Sequence, residues 1–165
     1  MTVEIANESG EQADEARLAA CATHVLAVTG VDPAAELSVL LVDEAHMTRL
    51  HVEHSGEEGP TDVLAFEQDD LGAVTSPHDA EAVPALLGDV VLCPPVARAQ
   101  ARTAGHAPQE ELELLLVHGV LHLLGWDHDE ADREREMFAL QAQLLRDWRG
   151  TPEAVEGGPA AGARP

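Results

Sequence analysis

The sequence contains no lysine, and its basic residues are nine arginines against 31 acidic residues. The formal net charge is −22 at pH 7. Such a field repels phosphate, which argues against tight binding of RNA or DNA by the protein alone. The charge does not exclude a nucleic-acid enzyme, because a bound divalent cation or arginines gathered on one face would supply local positive potential.

Long hydrophobic runs are also missing, since no stretch approaches the roughly 18 apolar residues that span a membrane. The first residues show neither a basic segment nor a long apolar stretch, so we recognise no signal peptide. The two cysteines, Cys21 and Cys93, lie far apart in apolar contexts, which is typical of buried free thiols in a reducing compartment. We therefore expect a cytoplasmic protein without a membrane anchor.

Hydrophobic periodicity predicts four strands interleaved with helices. The strands are expected near 2–6, 37–42, 62–66 and 87–92, and the helices near 11–29, 44–52, 94–104, 108–124 and 130–149. The expected class is α+β, with a small mixed sheet packed against several helices. A chain of 165 residues favours one domain, over 1–150. Residues 151–165, rich in Pro, Gly and Ala, predict a disordered tail.

The most informative stretch is 116–128, which reads Leu-Val-His-Gly-Val-Leu-His-Leu-Leu-Gly-Trp-Asp-His. His118 and His122 are four residues apart, so on a helix they share one face. Gly125 is the residue type that ends a helix, after which the chain turns and His128 points back toward the other two. Three converging imidazoles suit a divalent transition metal, zinc first, with a fourth position left for water. Nickel, cobalt and copper stay open.

This spacing matches the frame of a zinc protease family, with one departure. The protease carries a glutamate beside the first histidine as its general base, and here that position is Gly119. Glycine neither accepts a proton nor orients water. The motif therefore predicts a metal site and hydrolysis, but not peptide hydrolysis by that mechanism.

The same stretch resembles the signature of the YbeY-type endoribonucleases, the bacterial rRNA maturation factors. Pro60-Thr-Asp-Val-Leu-Ala-Phe66 and Leu87-Gly-Asp-Val-Val-Leu92 support the resemblance, which covers roughly residues 35–148. It implies a four-stranded sheet with a metal-bearing central helix near a cleft. It also implies single-stranded RNA as substrate, especially the 3′ end of 16S rRNA, and the small ribosomal subunit as partner. Many members carry an arginine, thought to help cleavage, where this chain has Ser55.

Two sets of residues are candidates for catalytic or substrate-binding roles near the metal. A general base is not evident, and three aspartates stay open: Asp62, Asp89 and Asp127. Asp127 or Asp129 would alternatively orient a ligand imidazole. Arg98 and Arg102 share one helix face and would hold a phosphate chain, or would simply pair with local acids.

Three functional hypotheses follow. The first is a zinc-dependent endoribonuclease in which water or the substrate's own 2′-hydroxyl attacks phosphorus. The alternative is a non-catalytic ribosome-assembly protein whose metal holds the fold together. A metalloprotease is the third, and Gly119 argues against it.

Overall fold

A computed structural model describes residues 1–67, 86–127 and 130–156. The strands are β1 (Thr2–Asn7), β2 (Glu36–Leu41), β3 (Val63–Glu67) and β4 (Leu86–Leu92). In the described ranges the helices are α1 (Glu15–Val28), α2 (Glu44–Ser55), α3 (Pro94–Ala104), α4 (Pro108–Leu123), α5 (Ala131–Arg149) and α6 (Pro152–Glu156). Residues 68–85, 128–129 and 157–165 lie outside the described part.

The strands form one mixed sheet in the order β1-β2-β4-β3. Strand β2 pairs in parallel with β1 and β4, and β3 pairs antiparallel with β4. The predicted α+β class and mixed four-stranded sheet are confirmed. A register shift in the β2–β4 ladder lies beside Gly88, whose φ of 138° is a conformation that residues with side chains rarely adopt. A Cβ at Gly88 would also lie 2.2 Å from the Phe66 carbonyl oxygen.

The two faces of the sheet carry different clusters, because successive strand residues point to opposite sides. One face joins the main core under α1 and α4 through five buried side chains: Leu37, Val39, Leu41, Val90 and Leu92. The opposite face carries a smaller cluster around Met47 of α2, Leu64 and Val91. Helix α4 therefore lies on the more deeply buried side of the sheet.

Helix α4 is the central helix, since it contacts β3, β4, α1, α3 and α5. Gly119 faces the sheet, and a Cβ there would lie 2.8 Å from Val90 Cγ1 and 3.2 Å from Val63 Cγ2. The absence of a side chain at Gly119 lets α4 approach strands β3 and β4. In the described ranges no helix, α4 included, has the length and apolar character needed to cross a membrane.

A buried polar network ties α4 to the surrounding helices. The Glu113 side chain has no exposure to solvent and accepts hydrogen bonds from Arg17 Nε at 2.5 Å, Trp148 Nε1 at 2.8 Å and Gln109 Nε2 at 3.3 Å. Arg17 also donates to the Ala154 carbonyl oxygen. The Glu113 carboxylate thus joins α1, α4 and α5, and Arg17 extends the network to α6.

Helix α1 begins later than its sequence predicted, whereas α5 begins within one residue of its predicted start. Helix α1 starts at Glu15 rather than near Glu11, because the Asp14 carboxylate accepts from the backbone N–H of the third residue that follows it. Helix α5 starts at Ala131, and its N-cap residue is Glu130, which makes no capping bond through its side chain. The N-terminal boundary of α1 therefore depends on a cap that periodicity does not reveal.

The prediction of a disordered tail from residue 151 was wrong for its first part. Pro152–Glu156 form α6, and Ala154 is only 4% exposed as it packs against the core. The Thr151 hydroxyl accepts from the Ala154 N–H at the start of this helix. Residues 157–165 lie outside the described part, so disorder there stays a prediction.

Candidate metal centre and cleft

His118 and His122 lie one turn apart on α4, as their spacing predicts. Their Nε2 atoms are 3.1 Å apart, and the rings meet edge to face with centroids 4.6 Å apart. The structure therefore brings two of the predicted ligands to one point. His128, the third predicted ligand, lies outside the described residues.

The distance between the two nitrogens fits a shared metal ion. Zinc–nitrogen bonds of about 2.0–2.1 Å in a tetrahedral site hold two ligand nitrogens about 3.3 Å apart. The observed 3.1 Å lies close to that value. Among the described residues, no group of three His, Cys, Asp or Glu side chains forms a complete metal site. A three-ligand site on this pair therefore needs a residue such as His128.

Gln141 of α5 orients His118, with its Oε1 atom 2.8 Å from His118 Nδ1. An amide oxygen only accepts, so Nδ1 carries the proton and Nε2 is the acceptor nitrogen that a metal requires. Gln141 is 7% exposed. Such a role was predicted for Asp127 or Asp129, of which Asp129 lies outside the described residues, and Gln141 was not predicted. The sequence does carry a hint of this role, because Gln141 is a polar residue within the apolar stripe through which α5 faces the core.

A cleft of about 500 Å³ opens beside the histidine pair. Its walls come from α2, β3, the end of α4 with the turn that follows it, and the start of α5. The residues that line it are His54, Val63, Leu64, Ala65, Glu67, His122, Gly125, Trp126, Asp127 and Arg133. His54 packs edge to face on Phe66, with ring centroids 4.7 Å apart. Aromatic, cationic and anionic groups thus surround the mouth of the candidate metal centre.

Arg133 is an arginine of the cleft whose role was not predicted from the sequence. It lines the cleft, and its Nη2 donates to the Gly125 carbonyl oxygen at 3.3 Å. Arg98 forms an ion pair with Glu11. Neither Arg98 nor Arg102 is among the described residues that line this cleft, so their contact with RNA stays a prediction.

The three candidate aspartates occupy different places. Asp127 is exposed and lines the cleft. The Asp62 carboxylate accepts from the backbone N–H of the next residue at 2.8 Å and from Gln100 Nε2 at 3.2 Å. Asp89 precedes Val90 in β4, so its side chain points to the sheet face away from α4. The geometry thus favours Asp127 among the candidate bases.

Ser55 brings no positive charge to the cleft. It is the last residue of α2, and its hydroxyl donates to the His51 carbonyl oxygen at 3.0 Å. The His51 ring in turn contacts the Gly59 carbonyl oxygen at 2.9 Å and the Glu57 carboxylate at 3.3 Å. These side chains stabilise the end of the helix rather than offering a guanidinium to a phosphate.

The cysteines play no part in this centre. Cys21 and Cys93 are buried free thiols, as predicted. Burial raises the pKa of Cys93 to about 11 and also raises the pKa of Cys21. Both thiols therefore stay protonated near neutral pH, and neither is a nucleophile or a thiolate ligand.

The chain is similar to several known proteins. The family model described as Endoribonuclease YbeY matches residues 4–149. A protein of that name from Acidothermus cellulolyticus is 60% identical over 151 residues, covering 90% of this chain and 92% of that protein. Another, from Thermobifida fusca, is 53% identical over 156 residues, covering 94% and 99%. The solution structure of a Thermotoga maritima protein matches with a TM-score of 0.58 and 25% identity, covering 92% and 94%.

Proposed function

The chain belongs to the Endoribonuclease YbeY family, and on this premise we propose that it cleaves single-stranded RNA with the help of a bound metal ion. The observation that most supports the proposal is the convergence of His118 Nε2 and His122 Nε2 beside a cleft. The proposed ion is zinc, held by His118, His122 and His128. The proposed catalytic domain is 1–150.

The chain's own residues supply the rest of the chemistry. When bound, the ion would lower the pKa of a water molecule and balance the charge that develops on a phosphoryl oxygen. Gln141 keeps the proton of His118 on Nδ1, so that Nε2 faces the centre. Asp127, exposed at the cleft, is the proposed proton acceptor, and Arg133 the proposed phosphate contact. The attacking group is either water or the 2′-hydroxyl of the RNA, and the ends of the products distinguish the two.

The proposed substrate is the 3′ end of 16S rRNA, and the proposed partner is the small ribosomal subunit. The resemblance to rRNA maturation factors suggests both. The net charge of −22 supports a partner, because a protein that repels free RNA benefits when another particle positions the strand. A ribosomal substrate would also locate the activity in the cytoplasm.

Replacing His118 by alanine tests the proposal. We expect His118→Ala to lower the rate of RNA cleavage by at least about 100-fold, because the site loses one ligand and its preorganised charge. The measurement is cleavage of an end-labelled single-stranded RNA by wild type and variant, purified side by side. His46→Ala is the matched control, since His46 lies on α2 outside the cleft lining.

Equal cleavage by wild type and His118→Ala would contradict the proposal and indicate a contaminating nuclease. If wild type cuts neither free RNA nor RNA in small subunits, the non-catalytic assembly role is correct instead. Loss of cleavage in His46→Ala as well would mean that any histidine change disturbs the protein, and the site assignment would fail.

Gln141 offers a second test that does not depend on catalysis. We expect Gln141→Met to weaken zinc binding about 10- to 100-fold, because the imidazole loses the partner that sets its proton and orientation. Gln141→Glu retains an acceptor oxygen and should keep the affinity. Competition with a chromophoric chelator measures both. Equal zinc affinity in wild type and Gln141→Met would show that Gln141 does not position His118.

A further inference from the structure

Phe138 is an exposed aromatic side chain in a protein with few aromatic residues. The sequence has two Phe, two Trp and no Tyr, and Trp148 is buried in the core. Phe138 is 44% exposed on α5. The other exposed residues of α5 are charged residues, alanines and one glutamine. Phe138 is therefore the one large apolar side chain that is exposed on α5.

The ring lies against His118, one of the two histidines of the candidate metal centre. Phe138 stacks on His118, with ring centroids 5.9 Å apart and planes inclined by 22°. It is one helical turn before Gln141, which binds the same imidazole. Since His118 Nε2 meets His122 Nε2, an exposed aromatic surface adjoins the point where the proposed chemistry takes place.

We infer that Phe138 is a stacking platform for one unpaired base of the RNA substrate, an inference that rests on the proposed ribonuclease function. Bases of single strands stack on exposed aromatic rings, and this contact tolerates any sequence because every base has a π face. A base inside a duplex has neighbours on both faces, so it offers no free face to the ring. Phe138 would therefore help to select single strands.

The charge of the protein strengthens the argument. Proteins usually gain most of their affinity for nucleic acids from Lys and Arg contacts to phosphates. This chain has no lysine and a net charge of −22, so that source is weak. Stacking is attraction to a neutral part of the substrate. Stacking on one aromatic ring thus makes up a larger share of the RNA affinity of an acidic ribonuclease than of a basic one.

A protein partner fits the surface less well than a base. Among residues 1–67, 86–127 and 130–156, the other exposed large apolar residues are Val28, Val52, Leu86 and Val155, which lie on α1, α2, β4 and α6 rather than on α5. Protein interfaces need a contiguous apolar patch of several hundred square ångströms. A single ring beside a reaction centre matches the size of one base.

The test compares Phe138→Leu, which keeps an apolar side chain without a π face, with Phe138→Trp, which restores one. Val28→Ala, on α1, is the control for an exposed apolar residue elsewhere. The dissociation constant for a fluorescein-labelled oligoadenylate is measured by anisotropy, and KM, kcat and zinc content are measured on the same preparations. An oligouridylate is run in parallel because uracil stacks less strongly.

For Phe138→Leu we expect the dissociation constant and KM for the oligoadenylate to rise about five- to thirtyfold. The rise should be smaller for the oligouridylate, and kcat and zinc content should not change. Phe138→Trp should match wild type, and so should Val28→Ala. An unchanged dissociation constant and KM in Phe138→Leu would overturn the inference while leaving the ribonuclease function intact.

Other outcomes separate the stacking role of Phe138 from the proposed ribonuclease activity. If Phe138→Leu loses kcat or zinc but keeps its affinity for RNA, Phe138 merely supports His118 and the inference is wrong. If the variant loses only its binding to small subunits, the ring contacts protein and the inference is again wrong. If wild type binds RNA through Phe138 without cutting it, the stacking role stands and the proposed activity fails. Absence of both binding and cleavage in wild type would contradict both.

Discussion

Gly119→Glu is expected to unfold the protein rather than to create a peptidase. The substitution restores the glutamate of the zinc-protease frame, but the structure leaves no room for it. A Cβ at this position would lie 2.8 Å from Val90 Cγ1 and 3.2 Å from Val63 Cγ2. Overpacking of this kind costs about 1–3 kcal/mol, and a carboxylate forced between helix and sheet adds several kcal/mol more. That sum is comparable with the whole stability of a typical domain.

Thermal unfolding followed by circular dichroism measures this effect, together with an assay against a peptide library. Gly119→Ala is the graded control, because its gain of about 1 kcal/mol in helix propensity partly offsets the contact with Val90. We expect a small loss of stability for alanine and loss of the folded state for glutamate. A Gly119→Glu protein with the wild-type melting temperature and peptidase activity would contradict the packing of α4 on the sheet and would revive the protease hypothesis.

Glu113→Ala is expected to lower the free energy of unfolding by about 3–5 kcal/mol, because removing one partner of a buried ion pair leaves the other charge buried without compensation. The substitution leaves the Arg17 guanidinium, whose side chain is 9% exposed, without its carboxylate. It also removes the acceptor of Trp148 Nε1, which is buried in the core. Because the network joins α4 to α5, the contact between His118 and Gln141 should weaken as well.

Urea denaturation of Glu113→Ala and Glu110→Ala provides a matched comparison on one helix. Glu110 is partly exposed in the first turn of α4 and accepts one long bond of 3.4 Å from the Ala107 N–H. We expect its removal to cost less than about 1 kcal/mol. Glu113→Gln should fall between the two, because an amide oxygen still accepts from Trp148 but carries no charge. Similar losses of unfolding free energy for Glu110→Ala and Glu113→Ala would mean that the buried network contributes no more stability than a partly exposed acid on the same helix.

Local patterns predicted the elements and the histidine pair. The spacing of His118 and His122 is a property of any helix, so their convergence did not depend on knowing the rest of the fold. Residues 112–124 are apolar on almost every side, which is typical of a buried helix, and the helix that contains them is central in the structure. Hydrophobic periodicity and short apolar runs also predicted the strands and helices on which the α+β class depends.

Features that depend on distant parts of the chain were not predictable in this way. Gln141 reaches His118 from 23 residues away, and Glu113 meets Arg17 from 96 residues away. Periodicity shows that a position is buried, but not which polar atom it faces. Asp89 lies on the opposite side of the sheet from α4 because of strand register, which follows from pairing partners rather than from local sequence.

The most direct test of the account is the rate of cleavage of a single-stranded RNA as zinc is added back to protein stripped with a chelator. We expect no cleavage by the stripped protein and full activity after one equivalent of zinc per chain. His122→Ala should show neither restored cleavage nor tight zinc binding. Full cleavage by the stripped protein, or zinc-restored cleavage by His122→Ala, would contradict the claim that His118 and His122 hold the metal that the reaction needs.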